Sequence, residues 1–546
     1  MSDFRRHGVA DGLHLALLMV ESMSNAMIGE LRVKDQLRGR RRIYTTAKQV
    51  DRNNIIEVLS DAIGIHELNQ MEIQYLIDYE LGDQPLEREK TIRSDIDIRI
   101  SENAANYVVE FKKGYFWGIP PVLIQHADKE MRKSDEKSND IGISALNEMM
   151  LNGLDIAYEN QILGDFVEKC GIGHRLVDVK TEFDDEESKY ALVNLYALDS
   201  RYAFCVYNNG VGQKKVLGVT YVEEDDNKYH FTCYTDSKVF DITGLGAEAV
   251  IVETTNVLGM IPVIEYNRAI DRTGCFERHI SYMDGLNVLV SDLANDTAQN
   301  VQTIWWGNDI AFQQNADGSA DKPESGDWLL TYSGTDKNPK VQPLSSGLNT
   351  ASTLDAISFE WNRILQKCKV PIQQETTGGG STGTATSMAS GWQTAEVDAL
   401  REESVISRGM KEELRLILRA IKLVPTKVLE AESPLRTVRA ADVDFHFNRN
   451  RNYDLSIKAN TLATLINAGM HGRHAIKLSE ISPDAETVWN DSAEIIQAKQ
   501  HKMFSEESTG SDTLSADTIN EDRTLQDSSD QTSNSPYLGT INTNQN

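Results

Sequence analysis

Residues 276–304 read FERHISYMDGLNVLVSDLANDTAQNVQTI. Ile280, Met283, Leu286, Val290, Leu293, Val301 and Ile304 fall at helical steps, with a weak point only near Thr297, while Asp284, Asp292 and Asp296 lie off the stripe. At 1.5 Å per residue such a helix is about 40 Å long, longer than most globular domains use. Outward from it, Trp305 to Leu348 is rich in Gly, Pro, Asp and Ser with apolar pairs such as Leu329-Leu330, which predicts a small β-containing module. A second helix carries Leu354, Ile357, Trp361, Ile364 and Leu365 and runs into Val370-Pro371. Gln373 to Gly391 is then Gly, Ser, Thr and Ala, with Ile372 at its edge and Met388 as its large apolar residues. A third helix, Gln393 to about Leu423, sets Val397, Leu400, Met410, Leu414, Ile417 and Ile421 against a face of mixed Arg and Glu, and Pro425 ends it. The order is long helix, small module, helix, polar loop, long helix.

Upstream, the spacing predicts helices over Asn53 to about Leu81, stopped by Gly82-Asp83-Gln84-Pro85, over Asn103 to Trp117, stopped by Gly118-Ile119-Pro120-Pro121, and over roughly Gly142 to Leu163. The runs Tyr190 to Leu198, Tyr202 to Tyr207, Val216 to Val222, Tyr229 to Tyr234 and Val239 to Ile242 are rich in Val, Tyr, Phe and Thr. With Asn208-Asn209-Gly210 and Glu223-Glu224-Asp225-Asp226 as turns they predict an antiparallel meander, closed by an extended segment over Asn256 to Tyr266. Downstream, Asp442 to Phe447 alternates like a strand, and Asp454 to Trp489 is helical with breaks at Gly469, Gly472 and Pro483. From Glu506 the chain turns polar and acidic, with Arg523 as its single base, and cannot bury enough apolar surface to order itself.

The 546 residues suggest three or four folding units, and 55 Lys plus Arg against 83 Asp plus Glu leave a formal charge of −28. That balance excludes a basic protein that coats nucleic acid. Cys170, Cys205, Cys233, Cys275 and Cys368 are far apart with no C-x-x-C pair, so neither a disulfide framework nor a thiolate metal site is expected. The apolar run Leu13 to Val20 is too short for the ~20 residues of a membrane span and reads as a buried amphipathic helix.

Gly378-Gly379-Gly380-Ser381-Thr382-Gly383 matches G-x-G-x-x-G, but a dinucleotide fingerprint must follow a buried strand, and here a helix ending at Pro371 precedes it. Thr384 and Ala385 stand where a Walker loop needs its Lys. The acidic runs Asp184 to Glu187 and Glu223 to Asp226 read as solvated turns, and His471 with His474 as an exposed pair without a third metal ligand. Arg38, Arg40, Arg41 and Arg42 form a dense basic patch, suited to a phosphate backbone, a solvated face or an intersubunit salt-bridge strip. Trp305, Trp306 and Trp328 read as module core or as interface anchors.

The segments Tyr79 to Pro85, Tyr107 to Pro120 with Lys113-Gly114-Tyr115-Phe116-Trp117-Gly118, Asn256 to Val263, and Ser381 to Ala385 before a long helix are weak alone, but in this order and spacing they are specific. From about Asn53 to Trp489 the chain resembles the portal proteins of tailed bacteriophages, of the type found in phages of Gram-positive bacteria. The resemblance implies an α+β, mainly helical subunit of a ring, typically of twelve copies, at one capsid vertex. It divides the chain into an unplaced segment (1–50), a wing (51–272), a first stem helix (273–304), a clip (305–348), a second stem helix (349–370), a tunnel loop (371–392), a wing spine helix with return strand (393–452), a crown (453–502) and an acidic tail (503–546).

On that reading the loop residues Gln373, Gln374, Thr376, Thr377, Gly378, Gly379, Gly380, Ser381, Thr382, Gly383, Thr384, Thr386 and Ser387 face DNA. Trp305, Trp306, Asp317, Asp321, Trp328 and Asp336 belong to the clip that docks the terminase large subunit and later the head-completion (adaptor) proteins. The implied partners are further copies of the chain, double-stranded DNA, the terminase, and capsid and scaffolding proteins, with no cofactor, metal, catalytic residue or membrane. Assembly in the host cytoplasm and residence in the virion follow. An acidic subunit with a charge-poor loop suits a conduit, because each phosphate neutralised by Lys or Arg would add affinity and hold the polymer. The alternatives are another head or tail structural protein, and a nucleic-acid enzyme of the packaging machinery, which the missing P-loop Lys and absent metal-carboxylate motif disfavour.

Overall fold

The structure, a computed structural model, describes residues 39–86, 96–125, 136–183, 191–224, 228–246, 248–301, 305–311, 328–334, 337–343, 350–372, 391–447, 449, 455–479, 481–482, 488–489 and 492. The expectations for Leu13 to Val20, Arg38, Asp184 to Glu187, Asp317, Asp321, Asp336, Gln373 to Ser387, Pro483 and the acidic tail lie outside these residues.

Along the chain come β1 (Ile43–Thr45), α1 (Ile55–Leu81), α2 (Ala104–Phe116), β2 (Val122–Gln125), α3 (Glu136–Glu148), a π-turn over Met149–Gly153, α4 (Ile156–Cys170) and β3 (Ile172–Asp178). There follow β4 (Asn194–Leu198), β5 (Ala203–Asn208), β6 (Lys215–Glu224), β7 (Lys228–Tyr234), β8 (Lys238–Thr243), β9 (Val250–Thr255) and β10 (Val263–Asn267). Then come α5 (Ile280–Val301), β11 (Trp305–Asn308), β12 (Trp328–Thr331), β13 (Lys340–Pro343), α6 (Thr350–Lys367), α7 (Trp392–Leu423) and β14 (Val443–His446). The chain divides after Asn452, and the second unit holds α8 (Leu455–Asn467) and α9 (Gly472–Ser479).

Mixed helix and sheet is what the first unit contains. A six-stranded sheet runs β1-β5-β6-β7-β8-β9, antiparallel except where β1 pairs parallel with β5. A second sheet runs β10-β3-β4, a third β12-β11-β13, and β14 pairs with β2. The first half of α1 covers the large sheet through Ile55, Val58, Leu59 and Ala62, and its second half enters a helical core through Ile73, Leu76 and Tyr79. His66, between the two, is buried against Phe204, and burial lowers its pKa to about 4. It is therefore neutral near pH 7 and donates from Nε2 to the Arg201 carbonyl at 2.9 Å.

Early residues of α5 (Ile280, Met283, Leu286) share a core with late residues of α6 (Ile364, Leu365), so the two helices run antiparallel on either side of the small sheet. A polar ladder fixes α5 to the extended segment before α2. Asn287, Ser291 and Asn295 stand one turn apart, are buried, and accept the backbone N–H groups of Glu102, Ile100 and Ile98 at 2.9, 3.0 and 2.8 Å. Asn295 also donates to the Ile98 carbonyl at 2.9 Å, so a segment without strand pairing still satisfies its backbone.

The structure corrects several expectations. The helix expected over Gly142 to Leu163 is two helices, separated by the π-turn and by Asp155 at φ 47°. Spacing hid the break because Leu146, Met149, Leu154 and Ile156 on both sides of it bury in one core. The strand at Ile172–Asp178 escaped detection because His174 and Arg175 interrupt its apolar pattern, yet both are buried. Tyr190 to Leu198 does not begin the meander: β4 pairs with β3, and the Asp199 turn, where Asp199 accepts the Arg201 N–H at 2.8 Å, carries the chain into the large sheet. Asn256 to Tyr266 is a turn followed by β10, and Gly472 opens a helix instead of breaking one, while Gly469 at φ 83° does break it.

Asn287→Ala leaves the Glu102 N–H without its acceptor and the buried Gln84 Oε1 without its donor, and is expected to cost about 1–3 kcal/mol; urea denaturation measures it, and a change below about 0.5 kcal/mol would show the ladder to be dispensable.

Candidate functional site

The polar segment between α6 and α7 is held by an anchor that the structure describes in full. After α6, Lys369 adopts φ 57° and Val370 donates its N–H to the Leu365 carbonyl at 2.8 Å, which turns the chain while Cys368 and Val370 stay buried. The chain returns at Gly391, φ 86°, where a Cβ would lie 3.8 Å from the Pro371 Cα. Both ends of the segment thus sit at one point. Its residues Gln373 to Ser387 lie outside the described ones.

Asp398, on the second turn of α7, ties the two ends together. Its Oδ2 accepts Lys112 Nζ of α2 at 2.8 Å and the Arg268 guanidinium at 3.0 Å, and its Oδ1 accepts Lys369 Nζ. Burial alone would raise the Asp398 pKa, but Lys112 and Arg268 hold the carboxyl far below the usual carboxylate range. Arg268 also bonds Glu168 at 2.9 Å, and Glu168 accepts the Trp117 indole N–H at 3.3 Å. Beside them burial, reinforced by the Glu168 carboxylate, pushes Glu402 well above the usual range. On the outer side Trp392 packs 5.9 Å from both Phe111 and Tyr115, and the Tyr115 hydroxyl donates to Glu396 at 2.6 Å. Arg449 bonds Glu396 at 2.5 Å and also Glu403.

Further along α7, Glu413 is buried with Arg175 at 3.1 Å and accepts the Tyr266 hydroxyl, while Lys215 reaches Glu412 at 2.5 Å. Gly409 makes this close docking possible, since a Cβ there would come 2.7 Å from the Tyr266 ring. The acidic residues of α7 are therefore spent largely on its own subunit, whereas Arg401, Arg408, Lys411, Arg415, Arg419 and Lys422 are exposed.

In the small sheet Trp305 and Trp328 are register partners, stacked 5.9 Å apart at 21°, and Trp306 donates its indole N–H to Thr331 Oγ1 at 2.9 Å. All three are half-buried; the sheet's exposed apolar groups are Leu329, Tyr332 and Val341. Asp309, at φ 53°, accepts the backbone N–H groups of Ser333 and Asn338 at 2.7 Å each, which lower its pKa and lock the strand ends.

Residues 62–486 match the family described as phage portal protein, SPP1 Gp6-like. The chain belongs to that family of portal proteins. No curated protein matches it. Portal proteins are structural components of the virion, assembled as oligomeric rings at the capsid vertex, and among the described residues no helix is long and apolar enough to cross a membrane.

Within this portal protein the described part of the basic patch divides: Arg40 is buried, Arg42 half-buried and Arg41 exposed. Arg40 is buried between Glu277 at 2.6 Å and Glu72 at 3.1 Å, Arg41 bonds Glu72 at 2.6 Å, and Arg42 lies 5.0 Å over the Tyr207 ring. Arg40 and Arg41 therefore neutralise carboxylates of their own chain, with Arg41 on a solvated face, while Arg42 bonds Gln213 at 3.0 Å. His471 and His474 are exposed, their rings 6.1 Å apart. The five cysteines are free and buried, and Cys170 is pushed up to about 12 by burial. Sequence reading missed the anchor, because Lys112, Arg268, Lys369 and Asp398 are scattered over nearly 300 positions; the one signal present was two acidic residues, Asp398 and Glu402, one turn apart on the apolar side of α7.

Asp398→Ala strands three cations and is expected to cost about 3 kcal/mol near neutral pH. Because the folded pKa is depressed, this stabilisation is complete above the unfolded value of about 4 and is lost as pH falls below it, so the stability curves of wild type and variant should converge on acidification. Denaturant midpoints between pH 7 and pH 3 check this; parallel curves would contradict it.

Proposed function

We propose that the chain forms the DNA channel at one capsid vertex, docks the terminase for packaging, receives head-completion proteins afterwards, and passes DNA out on ejection. The observation that carries this reading is the match of residues 62–486 to the portal family together with a polar loop whose two ends meet at a rigid, ion-paired anchor. In this reading α5 and α6 are the stem, the sheet β12-β11-β13 the terminase-docking clip, Gln373 to Ser387 the tunnel loop, α7 the wing spine, and α8 and α9 the crown of a ring of twelve.

The physical chemistry supports it. A conduit must surround a polyanion without gripping it, and a subunit of formal charge −28 with a charge-poor loop, whose one ionisable residue is Glu375, releases few counterions on contact with DNA. Gly378, Gly379, Gly380 and Gly383 permit the loop backbone to change conformation, and its small Ser and Thr side chains carry no charge to clamp phosphate. The stem pair leaves Leu354 and Phe359 on α6 and Val288 on α5 exposed, at 51%, 61% and 39%. Apolar groups on long neighbouring helices suit a contact repeated around a ring. Leu329, Tyr332 and Val341 offer the clip a comparable apolar patch for its partners.

Two outcomes test the proposal. Phe359→Glu should leave the circular dichroism of the subunit unchanged but shift sedimentation from ring to monomer by at least tenfold in the assembling concentration, the equivalent of about 1.4 kcal/mol; unaltered rings in negative stain would remove the stem contact. Replacing Ser381, Thr382, Thr384 and Thr386 with lysine should slow DNA packaging while rings still form, and normal packaging by this variant would remove the tunnel-loop role.

A further inference from the structure

Where the two larger sheets meet, three side chains of different chemistry converge. His174 on β3 and Glu265 on β10 are register partners in the three-stranded sheet, and Cys205 comes from β5 of the six-stranded sheet. One donor atom from each, an imidazole nitrogen, a carboxylate oxygen and the thiol sulfur, lies within 4.8 Å of the others. The residues are 1%, 8% and 2% exposed.

The hydrogen bonding around them is lopsided in an informative way. His174 Nδ1 is held by Ser200 Oγ at 3.0 Å, whereas its Nε2 has no hydrogen-bond partner and stands 3.9 Å from Glu265, beyond bonding distance. Glu265 Oε2 is held by the Arg272 guanidinium at 2.8 Å, whereas its Oε1 has no partner. The Cys205 sulfur has only a weak contact, 3.7 Å from the Val263 carbonyl. His174 is thus anchored through Nδ1 and presents Nε2 bare in the interior, where an unpaired polar group is costly, while the Glu265 oxygen 3.9 Å from that nitrogen is the Oε2 that Arg272 holds and Oε1 is left without a partner. Anchoring the far atom of a ligand while leaving the near one free is what the surroundings of a metal do to its ligands.

We infer that His174, Cys205 and Glu265 bind a zinc-type divalent ion that staples the six-stranded sheet to the three-stranded one. Mixed imidazole, thiolate and carboxylate donors suit zinc, and three protein ligands leave one tetrahedral position for a water molecule. Binding exchanges the Cys205 thiol proton for the ion; the thiolate and the Glu265 carboxylate carry two negative charges against its two positive ones, and the Arg272 guanidinium on Glu265 Oε2 leaves the site with one net positive charge. The role is structural, since the site is closed to substrate-sized molecules by burial. The inference is independent of the portal reading and stands or falls without it.

Elemental analysis of the full chain, produced in zinc-supplemented medium and dialysed against metal-free buffer, should give one zinc per chain. In Cys205→Ser and Glu265→Gln the content should drop at least tenfold, and Ser200→Ala, which removes only the support of the imidazole, should weaken zinc binding about tenfold or more. Wild-type protein produced with cobalt(II) in place of zinc should show a thiolate-to-cobalt charge-transfer band, a readout that needs no variant to fold. Zinc at the level of the buffer blank in wild type, or cobalt-grown protein without that band, would overturn the inference, as would full zinc retention in both ligand variants.

Discussion

A buried carboxylate among three cations is the constraint on which the rest of this subunit depends. Asp398 draws Lys112 from α2, Arg268 from the chain after β10 and Lys369 from the end of α6 onto the start of α7. None of these charges could be buried alone, because desolvating a single ion costs several kcal/mol, so each segment is obliged to arrive where the others are. The consequence reaches two cores at once. Val370 and Leu365 close the helical core containing α1, α2 and α5, and Ala399 and Ile406 begin the core shared by α7, α4 and the three-stranded sheet.

The same economy runs through the whole chain. Arg40, Arg175, Arg268 and Arg272 are buried opposite Glu277, Glu413, Glu168 and Glu265. These buried cations are matched inside the fold, so the net charge of −28 is that of a chain whose interior charges are largely paired.

Much of the architecture was legible because it rests on periodicity. Residues 55–81, 104–116, 280–301, 350–367 and 392–423 are helices within a few positions of where the apolar spacing and the glycine and proline stops put them. The strands from Ala203 to Thr243 follow their Val, Tyr and Phe runs in the same way. The Gly and Ser composition of residues 373–390 marked the segment between α6 and α7 as a polar connector, and the helices on either side of it end where that composition begins. Three of the misses share one cause. β3 carries His174 and Arg175 inward, the ladder on α5 is made of Asn287, Ser291 and Asn295, and the anchor is built from Lys and Asp. A rule that sorts polar residues outward cannot find groups whose burial is permitted only by partners far away in sequence.

By itself, then, the sequence determined where most of the helices and strands form, the acidity of the chain and the charge-poor character of its loop, since these are properties of local spacing and composition. Only the tertiary structure decided that β4 belongs with β3, that Arg40 faces Glu277, that Pro371 and Gly391 meet, and that His174, Cys205 and Glu265 converge. Those outcomes join positions 16 to 237 residues apart, and the energy of such a contact exists only once both partners have been removed from water together.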